Sequence, residues 1–242
     1  MFLHDLRFAL ARFRSRPGHF GVVCLILALG IGASTAIFTL VDATLFRPFD
    51  LPEGDRLIRI NAVGSPSERA DPTNHSNSSF PVYADYRSET ALFSGLAAYS
   101  DWIALHVAEG HGIPQRVTGA LVTGNYFEVL GARPAYGRTL APSDDMERDG
   151  HPVAVISESL SRRLFGGPDP TGRTLRINGR PFTIVGAMPA GFSGVNLETR
   201  PLVWMPMTMH GAAAPDWSVP RPGRAFVDPL DDRRFSWLDI VG

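Results

Sequence analysis

The sequence predicts an α+β protein: one long apolar helix near the N-terminus, then a mixed domain of short strands and short helices. Three observations carry this. Phe20 to Val41 holds no charged residue. Several short β-rich runs follow, the clearest being the pair that flanks Asn178-Gly179. Short helical patterns stand between those runs, opened by Ser157 or bounded by the glycines at 124 and 131.

The charge-free stretch covers about 22 residues and spans roughly 33 Å as a helix, enough to cross a hydrocarbon core of about 30 Å. Arg7, Arg12, Arg14 and Arg16 precede it, while Asp42 and Arg47 follow. Basic residues stay on the cytoplasmic side, so the segment before the span is placed inside and the remainder outside. A signal peptide has a shorter apolar core than this one. A lipoprotein cysteine stands at the end of the apolar run, whereas Cys24 lies near its start. A buried core helix seldom goes so long without charge. Ala28, Gly32 and Ala36 recur at spacing four, a stripe that lets a second membrane helix approach closely.

The boundaries are therefore residues 1–19, 20–43 and 44–242. In the first segment Leu3, Leu6, Leu10 and Phe13 share one face of a helix that lies in the membrane interface until Pro17-Gly18 breaks it. After the span the helix ends near Pro48. The pattern then predicts strands at 56–60, 93–107 and 116–122, with a polar loop over 64–79 and a short helix over 83–90. A short helix is expected over 124–131, then a solvated acidic loop over 141–151. Val153 to Ile156 reads as a strand. Ser157 caps a helix to Phe165 that Gly166-Gly167 stops. Asn178-Gly179 tolerates the positive φ angles of a type I′ turn, so 175–185 reads as a hairpin. Leu202 to Met205 is read as the last strand, and no structure is assigned to 206–234.

Composition restricts the chemistry. A formal net charge of −1 gives no basis for nucleic-acid binding. All 23 basic residues are arginine, so no P-loop lysine is available and the chain carries no Walker-type nucleotide site of its own. The single cysteine rules out an intrachain disulfide framework. Asp145, Glu147, Asp149 and Gly150 start a calcium-loop frame that fails at Ile156, where a bidentate glutamate is required. Asp144 and Asp145 are adjacent carboxylates without the cleft that acid–base work needs. The seven histidines show no metal-ligand spacing. Ser193 sits in a GFSG run one residue short of a nucleophile elbow. No catalytic, cofactor or metal site is expected.

Motifs along almost the whole chain resemble one family. Asp5 to Leu10 (DLRFAL) is similar to an opening DLRYALR, and Leu29 to Phe38 (LGIGASTAIF) to LGIGANTAIF, with Ser34 for the usual asparagine. Asp42 to Pro48 follows VDAVLLRPL. Gly124 to Gly131 with Gly137-Arg138 resembles GNYFxVLGxxPxxGR. Val153 to Gly167 resembles VAVLSxxLWxRxFGG, with Ser161 for tryptophan, and Gly172 to Gly194 resembles GRTLxLNGxPFTVVGVxPxGFxG. The order and spacing are those of the bacterial ABC-transporter permeases related to MacB and FtsX, most of all the large duplicated permeases of Acidobacteria.

The resemblance implies a cytoplasmic first helix, a transmembrane helix and a mixed α+β periplasmic domain of the MacB type. Three further membrane helices follow in that family, so the chain is expected to be an N-terminal portion. It also implies an inner-membrane location, an ATP-binding cassette subunit as motor, and further permease helices or a second copy in a dimer. A periplasmic adaptor is a further implied partner. The implied activity is transport, or transmission of force to the periplasm. The competing readings are a single-pass anchored binding or adaptor domain, a gene remnant, and an anchored hydrolase.

Overall fold

A computed structural model of the chain describes residues 17–41, 56–60, 78–88, 93–110, 112–196, 198–215 and 227–242. The chain divides into two units, Met1–Pro48 and Phe49–Gly242. The expected interfacial helix, the Asp42–Pro48 extension and most of the 64–79 loop lie outside the described residues.

The first unit contains α1, Pro17–Val41. Its window Gly21–Thr39 is long and apolar enough to cross a membrane. Thr35 Oγ1 donates to the Ile31 carbonyl and Thr39 Oγ1 to the Thr35 carbonyl, both at 2.8 Å. The hydroxyl hydrogens of both threonines are thus satisfied within the helix, as a hydrocarbon environment requires.

Among the described residues the second unit is built on nine strands. In chain order the elements are β1 (Arg59–Ile60), α2 (Phe80–Ser88), β2 (Ala97–Glu109), β3 (Gln115–Val122), α3 (Tyr126–Val129) and β4 (Tyr136–Gly137). Next come a 3₁₀ turn at Pro142–Asp145, β5 (Val153–Ser157), α4 (Glu158–Phe165), β6 (Thr174–Ile177) and β7 (Arg180–Met188). β8 (Val203–Pro206), α5 (His210–Ala213) and β9 (Asp239–Val241) complete the unit.

Six of these strands close on themselves. β2 pairs β3, β3 pairs β8, β8 pairs β5, β5 pairs β7, β7 pairs β6, and β6 returns to β2. The β3–β8 and β5–β7 pairs are parallel and the other four antiparallel. Side-chain alternation divides β2, β3, β5 and β8 between two cores. Leu105, Leu121, Ile156, Leu175, Ile184 and Met205 belong to one buried cluster. Ala120, Val122, Val155 and Trp204, their alternates, join α3 residues Tyr126 and Phe127 in the other. Outside the ring, β9 runs beside the first residues of β2 and carries β1, with Arg59 paired to Asp239 at 2.6 Å.

The hairpin forms as its residues dictate. Asn178 and Gly179 have φ of 49° and 84°, both in the left-handed region that a type I′ turn requires. Pro181 stands at the start of β7, where its missing N–H does least harm. Ser157 caps α4 as expected, its Oγ accepting from Leu160 N at 3.1 Å, and Gly166 ends it at φ 71°. Gly186 has a different constraint: a Cβ there would run into the carbonyls of Arg138 and Tyr136 on β4.

Three expectations change. The predicted strand over 93–107 begins at Ala97 and extends to Glu109. The stretch after Met205, left without structure, includes a 3₁₀ turn at Met207–Met209 and α5. Leu202–Met205 is not the last strand, because Asp239–Val241 forms β9 beside β2.

Candidate functional site

Ala28, Gly32 and Ala36 lie at one-turn spacing along α1, and all three are exposed. A Cβ added at Gly32 would meet nothing within 4 Å. The stripe is therefore a surface on which another backbone could come close, and Cys24 on the same helix is also exposed.

The acidic loop is exposed over residues 146–150, as expected, but Asp144 and Asp145 form a structural bracket. Asp144 receives Arg138 Nη1 and Nη2 at 2.6 and 3.0 Å, and its Oδ2 also accepts from Ala141 N at 2.9 Å. Burial pushes its carboxyl up, but the Arg138 bonds, the Ala141 N–H and the adjacent charge outweigh this and hold it below the usual range. Asp145 spans two segments, accepting from Gly124 N at 3.2 Å and Thr208 N at 2.9 Å. Here burial dominates and raises the carboxyl. The two neighbours thus depart in opposite directions, yet each is committed to backbone donors of its own fold.

The other sequence candidates do not converge. Ser193 lies in the turn after β7, where neighbouring Phe192 packs on Trp204 at 5.4 Å between ring centroids. Among the described histidines, His210 is buried with Nε2 3.4 Å from Asp228 Oδ1, and Asp228 also faces Arg148 at 3.7 Å. Among the described residues no group of three His, Cys, Asp or Glu side chains is placed to hold a metal.

A concavity along β2 was not foreseen. It is an open space of about 1350 Å³ whose floor is the run from Ser100 to Ala104 with His106. β2 is bulged there: Ser100 pairs Leu121 but Ile103 pairs Gly119. The bulge places Trp102 at φ 71° with its side chain 66% exposed, an unusual posture for a bulky residue. Asp101 beside it accepts from Thr199 Oγ1 at 2.9 Å, and burial raises its carboxyl. Asn178 holds the opposite end. Its Oδ1 accepts from His106 N at 3.0 Å, and its Nδ2 donates to the Ala212 and Ala213 carbonyls at 3.1 and 3.0 Å. The turn signal in the sequence located Asn178, but nothing local revealed that its amide also fastens α5 above β2.

Comparison with known proteins places this architecture. The sequence model of the MacB-like periplasmic core domain matches residues 20–227. The macrolide export ATP-binding/permease protein MacB of Azoarcus sp. (strain BH72) is 26% identical over 187 residues, which is 77% of this chain and 26% of that protein. The protein of the same name from Neisseria gonorrhoeae is 32% identical over 87 residues, 35% of this chain and 13% of that protein. The chain thus spans between an eighth and about a quarter of the length of these relatives. Among solved structures, the periplasmic region of MacB from Actinobacillus actinomycetemcomitans superposes with a TM-score of 0.50 at 17% identity, covering 76% of this chain and 72% of that one. The extracellular domain of the ABC-type transporter YknZ from Gram-positive bacteria gives 0.50 at 15% identity, covering 76% and 81%. At those identities the structures speak for the fold. The family match spans most of the chain, including its apolar helix and nearly all of its sheet domain, and this chain therefore belongs to the MacB-like periplasmic core domain family of ABC-type permeases.

Proposed function

We propose that this chain is a permease component of an ABC-type transport or mechanotransmission system of the bacterial inner membrane. It couples ATP hydrolysis by a separate cytoplasmic subunit to motion of its periplasmic domain. The observation that carries the reading is the single family match running from the apolar helix into the sheet domain. The arginines at 7, 12, 14 and 16 support a cytoplasmic N-terminus. These 242 residues contain no lysine and so no P-loop of their own.

In this reading α1 packs through Ala28, Gly32 and Ala36 against further permease helices or a second permease copy. Residues 1–19 lie at the cytoplasmic face near the motor. The ring of strands moves as one body, because each of its strands pairs with two neighbours and its interior is filled with side chains. A rigid outer body suits transmission of motion to a substrate or a periplasmic adaptor.

The test is co-purification from detergent with the ATP-binding cassette subunits of the same genome and the remaining permease helices. The expected result is recovery of one ATPase subunit, lost when residues 1–19 are deleted. If the chain is recovered alone under conditions that keep other permease complexes intact, the coupled reading fails and an anchored binding domain takes its place.

A further inference from the structure

The ring of strands has one unfinished seam. Two strands lie on the same side of β2, both antiparallel to it. β6 pairs Val107, Ala108 and Glu109, while β9 pairs Ala97, Ala98 and Tyr99. Between them, residues 100–106 of β2 have no strand neighbour on that side among the described residues. This is roughly 23 Å of strand.

Alternate residues of the seam turn their backbone groups away from β3. Thr118, opposite Ala104, turns its carbonyl away from β2 to accept from Leu202 N at 2.8 Å. Ala104 is therefore a non-hydrogen-bonded partner on the β3 side and presents both its N–H and its C=O to the seam. His106, two residues on, faces the same way, and both of its groups are taken by Asn178: its N–H by Oδ1 at 3.0 Å, its carbonyl by Asn178 N at 2.9 Å. Asn178 caps the track at one end. Asp101 and the bulged Trp102 close the other.

We propose that this seam is a docking track for an extended peptide segment of a partner protein, which adds to β2 as an antiparallel strand between β6 and β9. The features of the seam select that occupant. An exposed strand edge is completed by another strand, and two colinear antiparallel neighbours already fix its direction and register. The concavity, about 1350 Å³, is lined by β2 from Ser100 to Ala108. Charge polarises it: Arg176 stands at the β6 end and Asp101 at the β9 end. An antiparallel peptide enters beside Arg176 and leaves beside Asp101, so it carries an acidic residue near its N-terminus and a basic residue near its C-terminus. Trp102 provides an exposed aromatic surface for one side chain of the incoming strand.

The probe is a fluorescein-labelled heptapeptide with valine at alternate positions, glutamate second and arginine sixth. Its binding to the full chain in detergent micelles is read by fluorescence polarisation. The expected result is saturable binding, weakened about tenfold by exchanging the two charges or by Ala104→Pro. Proline there removes the seam-facing N–H and leaves the β3 pairing of Ile103 and Leu105 in place. A second series keeps the protein unchanged and N-methylates the peptide one residue at a time. Losses at alternate positions support strand addition, and this series decides the matter if Ala104→Pro does not fold.

No saturable binding at millimolar peptide overturns the proposal. So does an N-methyl series without alternation. Slow hydrogen exchange of the Ala104 amide before peptide is added also overturns it. In that case sedimentation tells whether the seam is filled by a second copy or from within the chain. None of these outcomes depends on an ATPase subunit, so the docking track and the coupled-motor reading stand or fall separately.

Discussion

Asn178 ties two parts of the domain through one side chain, and its loss can be sized from the structure. Replacing it with glycine keeps the positive φ of 49° that the turn needs and removes only the amide. Three hydrogen bonds go with it: one accepted from His106 N, two donated to the Ala212 and Ala213 carbonyls. At about 1 kcal/mol each, reduced because the site is half exposed to water, Asn178→Gly costs about 2–3 kcal/mol. For a domain of this size that lowers the melting temperature by about 5–10 °C. Asn178→Asp separates the two roles. It retains an acceptor for His106 N but sets a carboxylate oxygen against two carbonyls. We expect it to be at least as destabilising as glycine at neutral pH. A carboxyl held against carbonyls has a folded pKa above its unfolded value. The Asp variant therefore regains stability as pH falls toward the ordinary carboxylate range, where the protonated acid donates one bond. The assay is urea unfolding of the full chain in detergent, followed by near-ultraviolet circular dichroism. If both variants fall within about 0.5 kcal/mol of the parent, the amide does not hold α5 to the β6–β7 turn and the reasoning is wrong.

Other consequences can be tested in the same preparation. Asp144 has a depressed folded pKa, so its stabilisation is present above the usual carboxylate value near 3.8 and is lost as pH falls through its lower folded value. Arg138→Met should accordingly cost stability at pH 7 and little at strongly acid pH, and an equal cost at both would contradict the ion pair. Asp145 behaves oppositely: its raised pKa means stability falls as pH rises through the folded value, so Asp145→Asn should flatten that decline in a pH series of unfolding midpoints. Trp204 is fully buried between Phe127 and Phe192, at 6.1 and 5.4 Å. Trp204→Ala should cost about 3–5 kcal/mol by chemical denaturation. Trp204→Phe should cost far less, because the buried indole N–H has no partner among the described residues. On α1, Ala28→Leu with Gly32→Leu should abolish co-purification with the remaining permease helices while leaving membrane insertion intact, and unchanged assembly would retire the stripe.

Signals that act within a few residues were legible in the sequence. Asn178-Gly179 declared its turn because φ preference is a property of those two residues. Ser157 declared its cap because the bond closes over three positions, to Leu160. The charge-free run declared α1 by length alone. What escaped was set by distance along the chain. β6 serves as neighbour to both β7 and β2, and the second pairing joins Leu175 to Glu109 across all the elements from β3 to α4. No local pattern encodes that closure. Asp145 reads as one more acid in a polar loop until Gly124 and Thr208 arrive to donate to it. Trp102 reads as one aromatic among several in a strand until the bulge turns it outward. The seam along β2 is likewise a relation between strands at the two ends of the domain, β9 and β6, and belongs to neither sequence.

A permease component of this kind must hold its first residues and its strand domain on opposite sides of the membrane. Two single-cysteine variants in a Cys24→Ala background measure this directly: Arg12→Cys before α1 and Arg163→Cys on the exposed face of α4. Whole cells are treated with a small maleimide that passes outer-membrane pores but not the inner membrane. The account predicts labelling at 163 in intact cells and at 12 only after lysis. Labelling at 12 in intact cells, or protection of 163 until lysis, would contradict it.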